Sequence, residues 1–180
     1  FLQYEPVDWM TVKSSFSPSL YTYRRGRFWG ADTDINSGTR MPQSRKNHEE
    51  YFNYTWDHQM NINKIFNDVH NVNVLLLHSS YLNRYESSEL RSAEQPFETS
   101  FHNVGSGPSD TYQLGSSFSQ SQLLSFAARM NYIYNEKYLF TFTARADGTS
   151  KFAEDNQWGW FPSGAVAWRI SEESFMEDIT

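Results

Sequence analysis

Cysteine is absent from the 180-residue sequence, which excludes a disulfide framework and a metal site built from thiolates. No apolar run approaches the roughly 20 residues that a membrane-spanning helix needs. Positive charge is also in deficit, since the formal net charge is −6, and this gives no support for a nucleic-acid partner. The chain must therefore be classified by the spacing of its aromatic, polar and loop-forming residues.

Aromatic residues, in contrast, make up 17% of a sequence whose mean hydropathy is only −0.69. A soluble domain of this polarity would normally carry fewer aromatic side chains. A β-barrel in a membrane accounts for both values, because outward aromatic residues alternate with inward polar residues along each strand. The composition therefore favours strands that cross a membrane.

The clearest strand pattern covers residues 52–64, whose even positions are mostly aromatic or apolar and whose odd positions are polar. The two sets are Phe52, Tyr54, Trp56, His58, Met60, Ile62 and Lys64, and Asn53, Thr55, Asp57, Gln59, Asn61 and Asn63. A helix would scatter these aromatic residues round the whole cylinder, whereas a period of two places them on one face of a strand. This segment is predicted to be a strand.

A second region, residues 123–170, predicts three antiparallel strands, the first two joined by the turn Asn135-Glu136-Lys137. One register aligns apolar residues with apolar residues and polar residues with polar residues, which is how hairpin register is fixed. Its pairs are Tyr134 with Tyr138, Tyr132 with Phe140, Met130 with Phe142, Asn131 with Thr141 and Arg129 with Thr143.

The connections between predicted strands alternate in length. Short turns are predicted at 6–8, 67–71 and 135–137, and long loops at 24–50, 87–120 and about 147–157. In a meander alternate connections lie at the same end, and short turns at one end with long loops at the other are typical of outer-membrane barrels. The predicted fold is all-β, an antiparallel up-and-down meander of about seven strands that forms part of a large transmembrane β-barrel. Several strands are expected to reach about 14 residues, beyond the roughly 9–11 that cross the hydrocarbon.

Residues 145–176 closely resemble a stretch of the SusC/RagA-type TonB-dependent outer-membrane transporters. That family carries a pattern close to R-x-D-G-S-S-x-F-x-x-x-N-x-W-G-x-F-P-S-x-x-x-x-W-R-I-S-E-E, and Thr149 here replaces a common serine. The preceding hairpin also looks like the family, and the rest of the chain fits more loosely. The matching positions are Arg145, Asp147, Gly148, Ser150, Phe152, Asn156, Trp158, Gly159, Phe161, Pro162, Ser163, Trp168, Arg169, Ile170, Ser171, Glu172 and Glu173.

The resemblance implies that residues 1–180 are a segment of the barrel domain of such a transporter, and that the plug domain and TonB box are absent from this chain. It implies a location in the outer membrane of a Gram-negative bacterium and the import of glycan or peptide oligomers. A SusD-like surface lipoprotein would cap the barrel, and TonB with ExbB and ExbD would act through the plug. The loops 24–50 and 87–120 are the candidates for contact with cargo or lipoprotein. No cofactor is implied.

Two groups of aromatic residues are expected to form girdles at the membrane interfaces, where amphipathic rings are stable. The first group is near the loop ends of its strands, and the second is near the turn ends. They are Tyr54, Trp56, Trp158 and Trp160, and then Tyr132, Tyr134, Tyr138 and Trp168. Stacking on sugars is the alternative for the first group, but outward parity favours the girdle.

Arg129, Arg145 and Arg169 share the inward face by parity. They could line a substrate path, or they could pair with carboxylates of the plug or of neighbouring strands. An arginine in a wet lumen needs a partner less urgently than one in lipid. Substitutions on this face are expected to tune passage.

Catalytic and metal-binding patterns are weak, and no enzyme is predicted. There is no G-x-S-x-G motif, and the five histidines show no ligand spacing, although His58 and His78 could be neighbours on adjacent strands. Asp32, Asp34 and Asn36 form a D-x-D-x-N pattern, but an EF-hand loop would require glycine at position 37 and an acid at position 43. A solvated turn is the expectation there.

Two other classes of protein stay open at this point. A soluble all-β carbohydrate-binding module would use exposed tryptophan and tyrosine, but it would need a second sheet to cover the alternating aromatic faces. A passive porin differs from a transporter only in lacking a plug. The sequence does not decide between a glycan and a peptide cargo.

Overall fold

The computed structural model describes residues 1–36, 38 and 41–176. These residues form one antiparallel sheet whose seven strands lie in the order in which they occur along the chain. The strands are β1 (Leu2–Val7), β2 (Met10–Trp29), β3 (Gln43–Phe66), β4 (His70–Ser92), β5 (Gln113–Tyr134), β6 (Tyr138–Thr149) and β7 (Trp158–Trp168). The predicted all-β meander of about seven strands is confirmed.

Short 3₁₀ turns occur in the longer connections and after β7. They lie at Asp34–Asn36, Val104–Ser106, Ser109–Thr111, Glu154–Asn156, Ile170–Glu172 and Ser174–Met176. Across the described residues, no helix has the length and apolar character needed to cross a membrane.

The register of the β5–β6 hairpin is the predicted one at every pair that the sequence specified. Tyr134 lies opposite Tyr138, Met130 opposite Phe142 and Asn131 opposite Thr141. β7 continues the same two faces, since Trp168 lies opposite Tyr138 and Gly164 opposite Phe142. The side chains of β5, β6 and β7 therefore alternate in phase.

The predicted extents of two loops are wrong, because the strands continue into them. β2 and β3 have 20 and 24 residues, and β4 and β5 have 23 and 22, instead of about 14. The connections shrink accordingly to 30–42 and 93–112. Much of the sequence assigned to loops 24–50 and 87–120 is sheet.

Two of the short turns use non-glycine residues with positive φ. Asn67 and Asp68 have φ of 50° and 58°, and the Val69 N–H donates to the Phe66 carbonyl at 3.3 Å. The turn after β5 has the same form at Asn135 and Glu136. Asparagine and aspartate tolerate this region of φ/ψ better than most residues, so the turn chemistry matches the tight hairpin.

The chain divides into two compact units. Unit 1 comprises residues 1–18, 54–82 and 121–180, of which 177–180 lie outside the described residues, and unit 2 comprises 19–53 and 83–120. Unit 1 contains β1, β6, β7 and one part of each of the other strands. Unit 2 contains the remaining parts of β2–β5 and the connections 30–42 and 93–112.

Unit 1 has no conventional hydrophobic core within the residues described. Ala146 is the only apolar residue there that is fully buried, whereas Phe142 is 53% exposed and Val166 75% exposed. These exposed residues lie on one face, since Phe142 and Val166 belong to the apolar alternation of β6 and β7. Unit 1 is therefore a single sheet with one uncovered apolar face, and any proposed function has to account for that face.

Candidate functional site

The four aromatic residues predicted near the turn ends form a row across β5, β6 and β7. The ring centroids of Tyr134 and Tyr138 are 6.3 Å apart, and those of Tyr138 and Trp168 are 6.4 Å apart. Tyr132 joins His70 of β4, whose Nδ1 lies 2.7 Å from the tyrosine hydroxyl oxygen. The hairpin register produces this turn-end row, because Tyr134, Tyr138 and Trp168 are directly opposite one another.

A second row of rings, the loop-end row, crosses unit 1 on the same face of β5 and β7. Between ring centroids, the distance is 4.9 Å from Trp56 to His58, 5.5 Å from His58 to His78, and 4.9 Å from His78 to Phe126. Phe126 and Trp158 complete the row at 6.2 Å. The predicted neighbours His58 and His78 are thus stacked. His58, His78 and Phe126 were not predicted as part of this row, although they share the parity of the predicted residues.

β6 contributes no ring to the loop-end row, because it has Gly148 opposite Trp158. A Cβ atom at Gly148 would lie 2.7 Å from the Trp158 ring. Trp158 can therefore lie across β6 and approach Phe126 only because residue 148 has no side chain. The other two predicted residues are Tyr54 and Trp160. The ring centroid of Tyr54 is 5.6 Å from that of Phe16 in β2, and Trp160 is 75% exposed.

The opposite face of unit 1 carries a ladder of polar side chains across β3, β4, β5 and β6. Asn73 Nδ2 donates to Asn63 Oδ1, Asn131 Nδ2 donates to Asn73 Oδ1 at 3.1 Å, and Thr141 Oγ1 donates to Asn131 Oδ1 at 2.9 Å. Each asparagine side chain therefore forms a hydrogen bond with the next one across the sheet, as the backbone groups of neighbouring strands do. Ser79 and Asp57 add another bond of this kind at 2.5 Å.

The three predicted inward arginines do not form one site. Arg129 and Arg145 are close, because their register partners are Thr143 and Ala127 on adjacent strands. Arg129 Nε donates to Thr143 Oγ1 at 3.3 Å, and Arg145 Nε donates to Asp147 Oδ2 at 2.7 Å. Arg169 instead follows the end of β7, where its backbone N–H donates to the Lys137 carbonyl at 2.8 Å.

In unit 2 the connection 93–112 is anchored on the strands by a buried glutamine. Gln95 is 1% exposed, and its Nε2 donates to Ser44 Oγ at 2.6 Å and to Ser92 Oγ at 3.1 Å. The Gln95 backbone N–H donates to the Pro42 carbonyl at 2.9 Å. Farther along, Phe101 lies over Gly26, where a Cβ atom would be only 2.2 Å from the ring. The connection is therefore a packed element of unit 2.

Another face of unit 2 carries tyrosines and arginines. Tyr21, Tyr51 and Tyr85 form a tyrosine row across β2, β3 and β4, with ring centroids 5.9 Å and 4.8 Å apart. A cavity of about 60 Å³, which we call the arginine cavity, adjoins this row. It is lined by Tyr23, Arg25, Arg27, Arg45, Asn47 and Glu49. Most of these residues were predicted to lie in the loop 24–50, so the site was not predicted from the sequence. The signal that could have indicated it is that all of them occupy odd positions, which share one face of a strand.

Asn36, the last residue of the D-x-D-x-N pattern, stabilises the turn after β2. Asn36 is 3% exposed, its Nδ2 donates to the carbonyls of Trp29 at 3.0 Å and Gly30 at 2.9 Å, and its Oδ1 accepts from Gln43 Nε2. No group of three or more metal-ligating side chains with suitable geometry occurs within residues 1–36, 38 and 41–176. Asn36 thus acts as a structural residue.

Comparison with known proteins gives relatives of one kind, although no family model matches the chain. TonB-dependent receptor P3 of Formosa agariphila is 31% identical over 182 residues, which cover 99% of this chain and 18% of the receptor. TonB-dependent receptor P39 of the same bacterium is 32% identical over 94% of this chain and 16% of the receptor. TonB-dependent receptor SusC of Bacteroides thetaiotaomicron is 50% identical over 60 residues, which cover 33% of this chain and 6% of SusC.

Among solved structures, the RagAB peptide transporter matches with a TM-score of 0.83 over 97% of this chain and 19% of that chain. The chain is of the SusC/RagA type. The sequence identity to the RagAB structure is 16%, so that likeness concerns the fold of a barrel-wall segment. The SusC/RagA-type chain spans less than one fifth of the length of the relatives P3, P26 and P39.

The SusC/RagA-type motif at residues 168–173 folds back on the turn end of the sheet. Glu173 accepts hydrogen bonds from the Tyr138 hydroxyl at 2.8 Å, from Trp168 Nε1 at 3.1 Å and from Lys137 Nζ at 3.1 Å. The hydrogen bond from Tyr138, followed by those from Lys137 and Trp168, lowers the pKa of the Glu173 carboxyl group. The second glutamate of the motif therefore fastens the chain after β7 to the β5–β6 turn.

This cluster predicts a pH dependence of stability. The pKa of Glu173 is lower in the folded state than the ordinary value, so its stabilising effect is complete at neutral pH and is lost as pH falls through the folded pKa. The unfolding midpoint of the full-length protein in detergent should therefore fall more steeply below pH 4.5 for the native sequence than for Glu173→Gln. Glu172→Gln, whose side chain is exposed, is the matched control and should keep the native profile. Parallel profiles for the native protein and Glu173→Gln would contradict the role of the cluster.

Proposed function

We propose that this chain forms part of the wall of an outer-membrane β-barrel in a TonB-dependent importer of nutrient oligomers. The observation that carries the proposal is the opposition of two faces in unit 1, one apolar and uncovered and the other polar and hydrogen-bonded. The proposal combines this observation with the names of the relatives, which are TonB-dependent receptors.

The apolar face is assigned to lipid. Exposing a continuous apolar surface to water is strongly unfavourable, and this surface includes Met130, Phe142 and Val166. No second sheet of the described residues covers it. The two aromatic rows have a suitable separation. The 11 residues of β7 begin at Trp158 in one row and end at Trp168 in the other. At ~3.3 Å per residue and a tilt of ~40° they would span ~25 Å, the height of the apolar band of outer-membrane barrels.

The polar face is assigned to the lumen and the plug. The ladder from Asn63 to Thr141 satisfies its own hydrogen bonds, so this part of the face is a rigid wall. Arg129 and Arg145 would stand beside it with one bond each to Thr143 and Asp147, and their remaining N–H groups are available to the plug or to cargo. Arg169 is assigned to the turn end, away from a cargo path.

The partners follow from this assignment. The barrel would lie in the outer membrane of a Gram-negative bacterium, with lipid on its apolar face. A SusD-like lipoprotein would contact the barrel from the side of the long connections, of which 30–42 and 93–112 belong to this chain. TonB with ExbB and ExbD would act through a plug outside this chain. The cargo would be an oligosaccharide or a peptide.

The test is uptake by cells that express the full-length protein containing this chain. Uptake of labelled cargo should require both this protein and TonB, so deletion of the tonB gene should abolish it. Uptake that persists without TonB would favour a passive porin. Recovery of the folded full-length protein from the soluble fraction would favour a soluble binding module and would overturn the proposal.

A further inference from the structure

A pocket in unit 2, which we call the basic pocket, combines positive charge with apolar side chains. Its volume is about 440 Å³, within the range of ~300–1,000 Å³ that is typical of small-molecule sites. Even-numbered positions of β2, β3 and β4 line it together with two residues of the connection 93–112. The charged, aromatic and apolar residues of its lining include Arg24, Lys46, His48, Leu90, Phe101 and His102.

The connection 93–112 is held against the strands at this pocket. Phe101 can lie over β2 because Gly26 has no side chain there. The ring centroids of Phe101 and His102 are 4.7 Å apart, and Lys46 Nζ donates to the His102 carbonyl at 3.1 Å. A ring contact and a hydrogen bond thus join the two parts of the lining, so the basic pocket is a packed feature of unit 2.

The positive charge of the basic pocket is not neutralised. Arg24 and Lys46 form no ion pair with an acidic side chain among the residues that the structure describes, and no described acidic residue lines the pocket. Lys46 uses one of its three N–H groups for the His102 carbonyl, and Arg24 is exposed. A phosphate monoester carries a charge of about −1.5 to −2 near neutral pH, and guanidinium and ammonium groups both bind its oxygens. The chemistry of the basic pocket therefore fits a phosphate group.

The same face of unit 2 also exposes large apolar side chains. Four residues at even positions are between 45% and 76% exposed, namely Leu20, Leu90, Leu114 and Phe118. β4 and β5 are in phase, because a Cβ atom at Gly115 would lie 3.7 Å from Glu89 Cβ, which places the odd positions of both strands on the other face. Even positions are also the apolar ones along residues 52–64. Basic and apolar side chains on one face are typical of a surface that lies among lipid headgroups.

We propose that the basic pocket binds the phosphate group of a glycolipid in the outer leaflet of the membrane. Arg24 and Lys46 would bind the phosphate oxygens, and the exposed leucine and phenylalanine side chains would contact the apolar part of the lipid layer. A free phosphate ion would use the charge of the pocket but would leave these apolar side chains in water. The lipid is a neighbour of the wall and not a cargo, and this inference rests on the proposed location of the barrel in the outer membrane.

The experiment measures the affinity of the purified full-length protein in detergent for lipid A, titrated and followed by native mass spectrometry. The probes are phosphorylated lipid A, the same lipid A with its phosphates removed, inorganic phosphate, and hexaglutamate as an acidic peptide. The native protein should bind the phosphorylated form more tightly than the dephosphorylated form, and neither inorganic phosphate nor hexaglutamate should displace it. The double substitution Arg24→Gln and Lys46→Gln should weaken this binding by ~100-fold, because each charge-assisted contact is worth about a factor of ten.

Matched variants make the result specific. Arg24→Lys keeps the charge, so it should preserve most of the binding, whereas Arg27→Gln removes a charge at an odd position, on the other face of β2, and should leave binding unchanged. Heat-dependent mobility on a gel checks that each variant is folded, and the two single substitutions, at ~10-fold each, replace the double variant if it is not. Equal affinity for the two forms of lipid A, displacement by inorganic phosphate or by hexaglutamate, or unaffected binding in the folded Gln variants would each overturn the proposal.

This binding assay involves neither TonB nor cargo, so its outcome is distinct from that of the uptake test. Loss of phosphate selectivity with retained TonB-dependent uptake would remove the lipid site and leave the import function standing. Phosphate-selective binding that depends on Arg24 and Lys46, with uptake that persists without TonB, would keep the lipid site and remove the import function.

Discussion

Replacing Phe142 with arginine should lower the stability of the folded barrel by about 2–4 kcal/mol, the cost measured for cationic residues at the middle of a lipid-facing strand. Phe142 is 53% exposed on the apolar face, with Met130 and Gly164 opposite it on the neighbouring strands. Tyr138 lies four positions away towards the turn-end row, and Ala146 four positions away towards the loop-end row. An arginine there would have to place its charge in the centre of the apolar band.

The measurement is denaturant unfolding of the full-length protein in lipid bilayers, combined with the gel mobility shift that distinguishes a folded barrel. Ala165→Arg is the matched control, because Ala165 lies opposite Thr141 on the polar face. It should cost less than about 1 kcal/mol, since a lumen substitution leaves the charge in water. Equal losses for the two variants, or a larger loss for Ala165→Arg, would mean that the two faces have been assigned wrongly.

Replacing Gly26 with valine should detach the connection 93–112 from unit 2. The new Cβ atom would approach the Phe101 ring to 2.2 Å, closer than any side chain can accept, so the ring would have to leave its place on β2. Overpacking of this kind typically costs about 1–3 kcal/mol, which corresponds to a change of roughly 5- to 150-fold in the population of the detached state. Cleavage within 93–112 by protease added to intact cells should therefore become at least about five times faster.

Gly38→Val is the control for this prediction, because a Cβ atom at Gly38 would meet nothing within 4 Å. It should leave the cleavage rate unchanged. Phe101→Ala removes the same contact from the other side and should reproduce the effect of Gly26→Val. An unchanged cleavage rate in both Gly26→Val and Phe101→Ala would contradict the idea that this contact holds the connection in place.

The sheet of unit 1 could be predicted from the sequence because most strands there have one apolar and one polar face. The β5–β6 register followed from matching both faces at once across the turn after Tyr134, and the structure has that register. The turn-end row followed in turn, since register and parity together place Tyr134, Tyr138 and Trp168 side by side. Contrast between the two faces is the physical signal that made this possible.

The strand segments of unit 2 at 24–29, 43–50, 87–92 and 113–120 could not be predicted because that contrast is missing. Along residues 43–51, Arg45, Asn47 and Glu49 alternate with Lys46, His48 and Glu50, so both faces are polar. The hydrophobic period disappears, and a polar strand cannot be distinguished from a polar loop. The tyrosine row and the arginine cavity were missed for the same reason.

Other parts of the site depend on contacts that no local pattern reveals. Gln95 is one glutamine in a polar stretch, and its burial follows from the positions of Ser44, Ser92 and the Pro42 carbonyl. The ladder through Asn63, Asn73 and Asn131 required the register between β3, β4 and β5, which the sequence did not specify. Residues that bond across strands become predictable only when the register of each pair is known.

The anchoring of Gln95 has a consequence for how the protein is assembled. Ser92 is close to Gln95 in sequence, but Ser44 and the Pro42 carbonyl lie at or just before the beginning of β3, so the bonds to these two residues form only after β3 and β4 have paired. The connection 93–112 therefore reaches its final arrangement only after the β3–β4 hairpin has formed. A newly exported chain should pass through a period in which this segment is sensitive to periplasmic proteases, and its acquired resistance would time the completion of the neighbouring wall.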